Sequence, residues 1–483
     1  MTTTTTTRTP LAAAALAMLL GTAHAQPVER RSTLDDQQSV AVTIYNADLA
    51  LVKDTRRLTL ERGANRIALR DVSATMRPET AQLRSVSNPG SFSLLEQNFD
   101  FDLLTPAALL EKSVGKTVRI VKTHPTSGAE TTESAQVLSA HDGVVLKIGD
   151  RIETGLPGRI VFDGVPANLR DRPTLVTELD SQRAGPQEVE LSYLTKGLAW
   201  RADYVAELSA DDRVIDLNGW FTLTNQSGTS YSNAKLQLVA GDVNLVQEEP
   251  MEADEAADGR VYAPPPEVTV SQEALFEYHL YTVGRPTTLA DQQTKQVALL
   301  NASGVPVTKE LVLQGQEGYY TDSVGEIGKT LKTAVYIEFA NREDTHLGEP
   351  LPKGVVRLYK RDSAGNAQFV GEDSIDHTPK NETVRLHVGD AFDVTADKKQ
   401  TDWRQRDSKK RSREIHESAY EIVLHNAKPE AVTVAVREPV PGDWTMLQES
   451  QPHRKVAAGT AEWRVKVPAE GSATLKYRVL TRF

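Results

Sequence analysis

The chain has 483 residues, no cysteine, and a formal charge of −11 from 55 basic and 66 acidic side chains. That length suits about three domains, and the missing thiols exclude disulfides, cysteine-ligated zinc, iron–sulfur clusters and thiolate nucleophiles. The acidic balance argues against DNA or RNA as a partner, because binding a polyanion calls for a basic excess on at least one domain.

Residues 1–25 read as a removable signal peptide. Arg8 supplies the charge, Leu11 to Leu20 the apolar stretch, and Ala23-His24-Ala25 the small-residue cleavage site. The apolar stretch is about half the roughly 20 residues a membrane-spanning helix needs. Cleavage near Ala25 and a periplasmic or secreted location are therefore expected, with no transmembrane helix in the mature chain.

An N-terminal β domain is expected over 38–105. Val40 to Tyr45 and Leu49 to Lys53 are β-rich runs split by the turn formers Asn46-Ala47-Asp48, and Arg57 to Leu60 with Asn65 to Leu69 repeats the pattern across Arg62-Gly63, as a small antiparallel unit. Asn98 to Asp102 alternates, which places Phe99 and Phe101 on one strand face. Thr105, Pro106 and Ala107 to Lys112 spell a short helix with a threonine cap, proline at its first position and Gly115 beyond its end. Four short runs follow, Thr117 to Lys122, Ala135 to Leu138, Val144 to Ile148 and Arg159 to Phe162, with Asp142-Gly143 as a hairpin turn. Residues 106–166 thus resemble a small SH3-like or Sm-like barrel insertion. Their seven basic and seven acidic residues form no basic patch for RNA.

From Glu188 onward the alternation strengthens. Trp220 to Asn225, Tyr336 to Asn341 and Tyr420 to Asn426 are alternating runs that each stop at an asparagine, and asparagine tolerates the turn conformations that follow. The fold class expected is mainly β, with several antiparallel Ig-like β-sandwich units, the barrel-like insertion and few helices. A central β-sandwich is expected over 167–246 and 273–397, with a clear hairpin at Asp362 to Asn366, and a C-terminal sandwich over 414–483. Residues 247–272 read as an acidic, proline-rich linker, with six acidic residues from Glu248 to Asp258 followed by Pro264-Pro265-Pro266. Lys398 to Arg413, with eight basic residues against Asp402 and Asp407, reads as a solvated basic loop at a hairpin tip, able to make a peripheral contact with an acidic surface or anionic lipid.

Motifs for chemistry are sparse. Gly115-Lys116-Thr117 and Gly328-Lys329-Thr330 resemble the end of a phosphate loop, but Leu110 and Ser323 stand where its first glycine belongs. The ten histidines show no metal-ligand spacing, so neither a metal nor a cofactor is expected. The densest polar cluster is Glu372-Asp373-Ser374-Ile375-Asp376-His377. On a strand, Glu372 and Asp376 share one face and Asp373 and His377 the other. Each pair is then about 13 Å apart, beyond the roughly 5 to 9.5 Å between paired glycosidase carboxylates. These four are the candidate catalytic residues. Of the five tryptophans, Trp200, Trp220, Trp444 and Trp463 suit cores, and Trp403 beside the basic run reads as exposed.

The phrases Tyr193 to Tyr204, Asn225 with Leu236 to Gly241, Tyr278 to Arg285, Leu351-Pro352-Lys353-Gly354, Gly371-Glu372-Asp373, and Asn426 through Trp444 to Tyr477 occur in this order. In this the chain resembles the bacterial domain-of-unknown-function family 4139, the mucoidy-inhibitor-A-like proteins. The resemblance implies an exported β-rich protein with no assigned reaction and a loose link to surface polysaccharide. Other members often carry a long coiled coil that has no counterpart here. The expected role is a non-enzymatic scaffold or binding module of the envelope, with an envelope protein or polysaccharide as partner. The alternatives are a hydrolase of envelope sugars or peptides and an outer-membrane-associated β protein, the latter raised by the alternation of Leu475, Tyr477 and Val479 toward Phe483.

Overall fold

In a computed structural model, residues 27–46, 48–166, 169–241, 270–275, 278–406 and 414–483 are described. The expected signal peptide and most of the acidic linker lie outside them. The protein is mainly β, in several mixed and antiparallel sheets, with one short α-helix among the described residues. Among the described residues, no helix is long and apolar enough to cross a membrane. The chain divides into two compact units, one of 1–36, 57–72 and 83–189, the other of 37–56, 73–82 and 190–483.

In the first unit, Gly63–Arg70 lies between Glu29–Ser32, which runs parallel to it, and Thr174–Ser181, which pairs on its far side with Phe92–Asp100. Arg170 ties this sheet together through ion pairs to Glu29 at 2.7 Å and Asp100 at 2.8 Å. The helix forms at Pro106–Glu111, where the Thr105 side chain accepts the Ala108 N–H at 3.0 Å and Gly115 takes a φ of +81° just past its end. A five-stranded antiparallel sheet follows in the order Arg151–Thr154, Val145–Ile148, Glu130–Ser139, Thr117–Thr123, Arg159–Val161. Alternate residues Val118, Ile120, Ala135, Val137, Leu146 and Ile148 point inward, and Leu110 of the helix packs on them. Phe101 falls past its strand's end and is 65% exposed, so the pairing of Phe99 and Phe101 is a surface contact with ring centroids 5.6 Å apart.

The repeated hairpin expected near the N-terminus does not form. Leu49–Leu60 is one strand, whereas Gly63–Arg70 belongs to a different sheet. The polar stretch that looked like a break is a buried ion pair. Arg56 donates to Asp54 at 2.9 Å, Gln37 donates to the same carboxylate at 2.9 Å, and alternation continues through them.

The second unit carries two further large sheets. One runs in the order Gln293–Pro306, Val214–Asn225, Leu198–Leu208, Gly354–Arg361, Ala367–Ile375. The other has nine strands: Asp443–Glu449, Gly471–Arg482, Ile415–Asn426, Thr383–Arg406, Glu326–Ala340, Thr308–Gln314, Val432–Pro439, Thr460–Val467 and Arg454–Ala457. Its neighbours are antiparallel except Thr308–Gln314, which runs parallel to Val432–Pro439. Inward residues including Leu313, Val394, Ile422, Val436, Trp463, Leu475 and Tyr477 form one core.

The three asparagines share one device. Asn225 Nδ2 donates to the carbonyls of Thr229 at 2.9 Å and Leu289 at 3.1 Å, and its Oδ1 accepts the Ser227 N–H at 3.1 Å. Asn426 does the same with Glu430 at 2.8 Å, Pro468 at 2.9 Å and Lys428 N–H at 3.0 Å. Asn341 reaches the Glu349 and Pro379 carbonyls at 2.8 and 3.1 Å and the Gly348 N–H at 3.0 Å. Each is buried and fastens its own turn to a second loop. The amide supplies two donors and an acceptor at once, whereas a serine or threonine hydroxyl has one donor and an ionised aspartate has none.

Candidate functional site

Across six adjacent strands of the nine-stranded sheet, charged side chains stand on one face in a continuous ladder. Arg385 of Thr383–Arg406 lies opposite Glu338 of Glu326–Ala340, and Arg437 and Arg454 each lie opposite Glu462 of Thr460–Val467. Glu310 of Thr308–Gln314 bridges the two groups. It receives Arg385 at 3.0 Å, Arg437 at 2.9 Å and Arg464 at 3.2 Å. Glu462 receives Arg437 at 2.8 Å, Arg454 at 2.8 Å and Arg464 at 3.3 Å. Strands about 4.8 Å apart bring such side chains within hydrogen-bond reach.

The most deeply buried member is an acid, Glu462. The Glu462 side chain is 1% exposed, whereas those of Arg454 and Arg464 are 67% and 61% exposed. Burial alone would raise the Glu462 pKa, but the Arg437 and Arg454 guanidiniums outweigh it and hold the carboxyl below its ordinary range. Glu462 is therefore a fixed anion that positions three cations. Arg454 gives it one hydrogen bond, and a guanidinium carries five N–H donors in a planar fork, so donors remain for a second anion.

Arg454, Glu462 and Arg464 line a groove of about 370 Å³ together with Gln451, Pro452 and His453. His453 is pinned by Glu449, which lies 2.9 Å from its Nδ1 and accepts the Trp463 indole N–H at 3.0 Å. Trp444 flanks the histidine at 5.4 Å, and the Lys455 ammonium sits 4.7 Å from the Trp444 ring centre. The groove wall is thus built before any ligand arrives.

A second cleft of about 400 Å³ runs past Thr401, Glu421, Gln448, Ser450, Lys476 and Arg478. Its charges are spent on one another. Glu421 is held by Lys399 at 2.6 Å and Lys476 at 2.8 Å, whose hydrogen bonds bring its pKa down to about 2. Arg478 is shared between Asp402 and Glu417, both at 2.8 Å. The first groove has more unused binding capacity.

The four residues singled out in the sequence do not converge. Glu372 pairs with Arg357 at 3.2 Å, within a smaller ladder where Arg357 also meets the buried Asp203 at 3.0 Å. Asp373 accepts backbone N–H groups from Ser374 at 2.8 Å and His387 at 2.7 Å. Asp376 and His377 lie beyond the strand Ala367–Ile375, Asp376 exposed with Lys353 at 3.7 Å, and His377 Nδ1 accepting the Lys353 N–H at 3.1 Å. Among the described residues, no three His, Asp or Glu side chains gather as a metal site.

The basic run is not a loop where it begins. Residues 398–406 belong to the strand Thr383–Arg406, and Lys398 is buried on Glu438, while 407–413 lie outside the described residues. A bulge between Gln400 and Asp402 keeps this strand paired to Ile415–Asn426 despite its charges. Trp403 is half-buried against His416, with ring centres 5.3 Å apart, and so is not the exposed ring expected of it.

A family described as Domain of unknown function (DUF4139) matches residues 189–483. The chain belongs to this family. The match begins one residue before the long continuous segment of the second unit, Glu190–Phe483. Both large sheets just described, the ladder and its groove therefore lie in the DUF4139 region, and the small five-stranded sheet lies before it. Among curated proteins, none matches the chain.

Sequence reading missed the ladder because its members are spread from Glu310 to Arg464, and each taken alone is an ordinary solvated charge. The available signal was Glu462-Trp463-Arg464, where two charges flank a residue that must face a core.

Proposed function

We propose that this protein is an exported, non-enzymatic binding module of the cell envelope, and that the groove between Arg454 and Arg464 holds the anionic groups of an acidic surface polysaccharide. One observation carries the reading: buried Glu462 and half-buried Glu310 fix a set of guanidiniums, of which two stay exposed beside a preformed groove. Planar guanidinium forks match carboxylate and sulfate groups in two parallel hydrogen bonds. A module of this kind recognises its ligand by prearranged charge and needs no reacting residue. The leader-like N-terminus and the polysaccharide link implied by the family resemblance support the envelope setting.

The test is equilibrium binding of the purified protein to a uronic-acid polymer and to a neutral glucan of similar length, each at low and moderate salt. Binding of the acidic polymer alone, weakening as salt rises, is the expected result. Equal binding of both, or of neither, removes the proposal.

A further inference from the structure

In the core of the nine-stranded sheet, Lys398 and Glu438 meet with both carboxylate oxygens 2.7 Å from the ammonium nitrogen. The lysine is 3% exposed and the glutamate fully buried. Their strands, Thr383–Arg406 and Val432–Pro439, are separated in the sheet by two others, so the pair spans the core. Around them stand Tyr319, whose ring centre is 4.5 Å from the ammonium, Tyr420 at 5.5 Å, and Tyr320, whose hydroxyl donates to Glu438 Oε2 at 2.9 Å. Tyr320 and Tyr477 hydroxyls touch at 2.9 Å. Position 315 has no side chain, and a Cβ there would collide with the Glu438 carboxylate. The chain has thus made room for this contact on every side.

Such a pair is hard to explain by stability alone. Two charges lose their hydration on burial, and well-packed apolar residues often do as well or better in their place. A chain without cysteine also has no disulfide with which to join distant strands.

We propose that Lys398 and Glu438 are joined in the mature protein by an amide bond between Nζ and Cδ, a spontaneous cross-link that ties the two strands through the core. This stands apart from the polysaccharide reading and uses neither the groove nor its arginines. One proton passes from Nζ to Oε1, giving a neutral amine whose lone pair is free to attack and a carboxylic acid whose hydroxyl can leave. The nitrogen lone pair then adds to Cδ, and the negative charge gathering on Oε2 is met by the Tyr320 hydroxyl. Burial pushes the Tyr320 and Tyr477 pKa values well above the ordinary phenol range, so both stay protonated and able to donate. The Cδ–Oε1 bond breaks, Oε1 takes a second proton from nitrogen, and one water leaves. Three protons on Nζ become one on the amide and two on the water, with no oxidant, reductant or co-reactant.

The experiment is mass spectrometry of the purified full chain beside Lys398→Arg, which keeps the charge and most of the volume but cannot form this amide. Wild type is expected to be lighter than Lys398→Arg by the substitution difference plus one water. Its tryptic digest should also contain a branched peptide carrying both Lys398 and Glu438, uncut after Lys398. A difference equal to the substitution alone, with Lys398 labelled by an amine reagent once wild type is unfolded, overturns the proposal. If Lys398→Arg fails to fold, the wild-type digest decides alone: a branched peptide supports the cross-link, and two linear peptides overturn it.

Discussion

Asn341→Ala is the sharpest probe of how the second unit is held together. The side chain is fully buried and makes three good hydrogen bonds, all to backbone groups of two loops. Alanine removes the partner, strands the Glu349 carbonyl and the Gly348 N–H, and leaves the Pro379 carbonyl only the Glu382 N–H at 3.4 Å. Each stranded buried group costs about 1 to 3 kcal/mol. Some relaxation toward water at the loop surface is expected, and a total of about 3 to 5 kcal/mol is the working figure. Urea unfolding followed by tryptophan fluorescence should show a midpoint that falls at unchanged slope. Native-state hydrogen exchange at Gly348 should quicken in parallel. Asn341→Asp keeps the shape but points a carboxylate at two carbonyls, so it should be at least as damaging at neutral pH and recover partly in acid as the side chain becomes a donor. A loss below about 1 kcal/mol for Asn341→Ala would refute the claim that these asparagines fasten the loops.

Three further outcomes follow from the same sheet. Glu462→Gln removes the anion from beneath Arg437, Arg454 and Arg464; Arg437 keeps Glu310 and the other two are mostly exposed, so the cost in urea unfolding should be about 1.5 to 3 kcal/mol, the worth of a hydrogen bond to a charged group. Gly315→Ala forces the Glu438 carboxylate aside and should destabilise by about 1 to 3 kcal/mol, read by thermal denaturation. Glu421 has a folded-state pKa depressed to about 2 from 4.5 by Lys399 and Lys476. Its contribution is therefore complete above the unfolded value and disappears as pH falls toward about 2, so Glu421→Gln should flatten the acid limb of the stability profile over that interval.

The β character, the capped helix at Pro106–Glu111 and the strand ends at the three asparagines were legible in the sequence because each depends on local spacing. Alternation survives even where charges interrupt it, and this is also where sequence reading failed. Asp54 and Arg56 looked like a break between strands, and Lys398 to Arg406 looked like a loop, yet both stretches are strand whose inward charges are paired, Arg56 with Asp54 beside it and Lys398 with Glu438 on another strand. A local pattern cannot reveal a partner 40 residues away, as Glu438 is from Lys398. Glu372 to His377 is dense in sequence, but its side chains are taken up by local partners, whereas the ladder is dispersed in sequence and dense in space.

The most direct test of the binding role is the affinity of the Arg454→Ser/Arg464→Ser double variant for the acidic polymer, measured by titration calorimetry against wild type. Both side chains are mostly exposed, so the fold should survive their loss. Losing two charge-assisted contacts at about 1.5 kcal/mol each predicts roughly a hundredfold weaker binding. Wild-type affinity in the double variant would contradict the account.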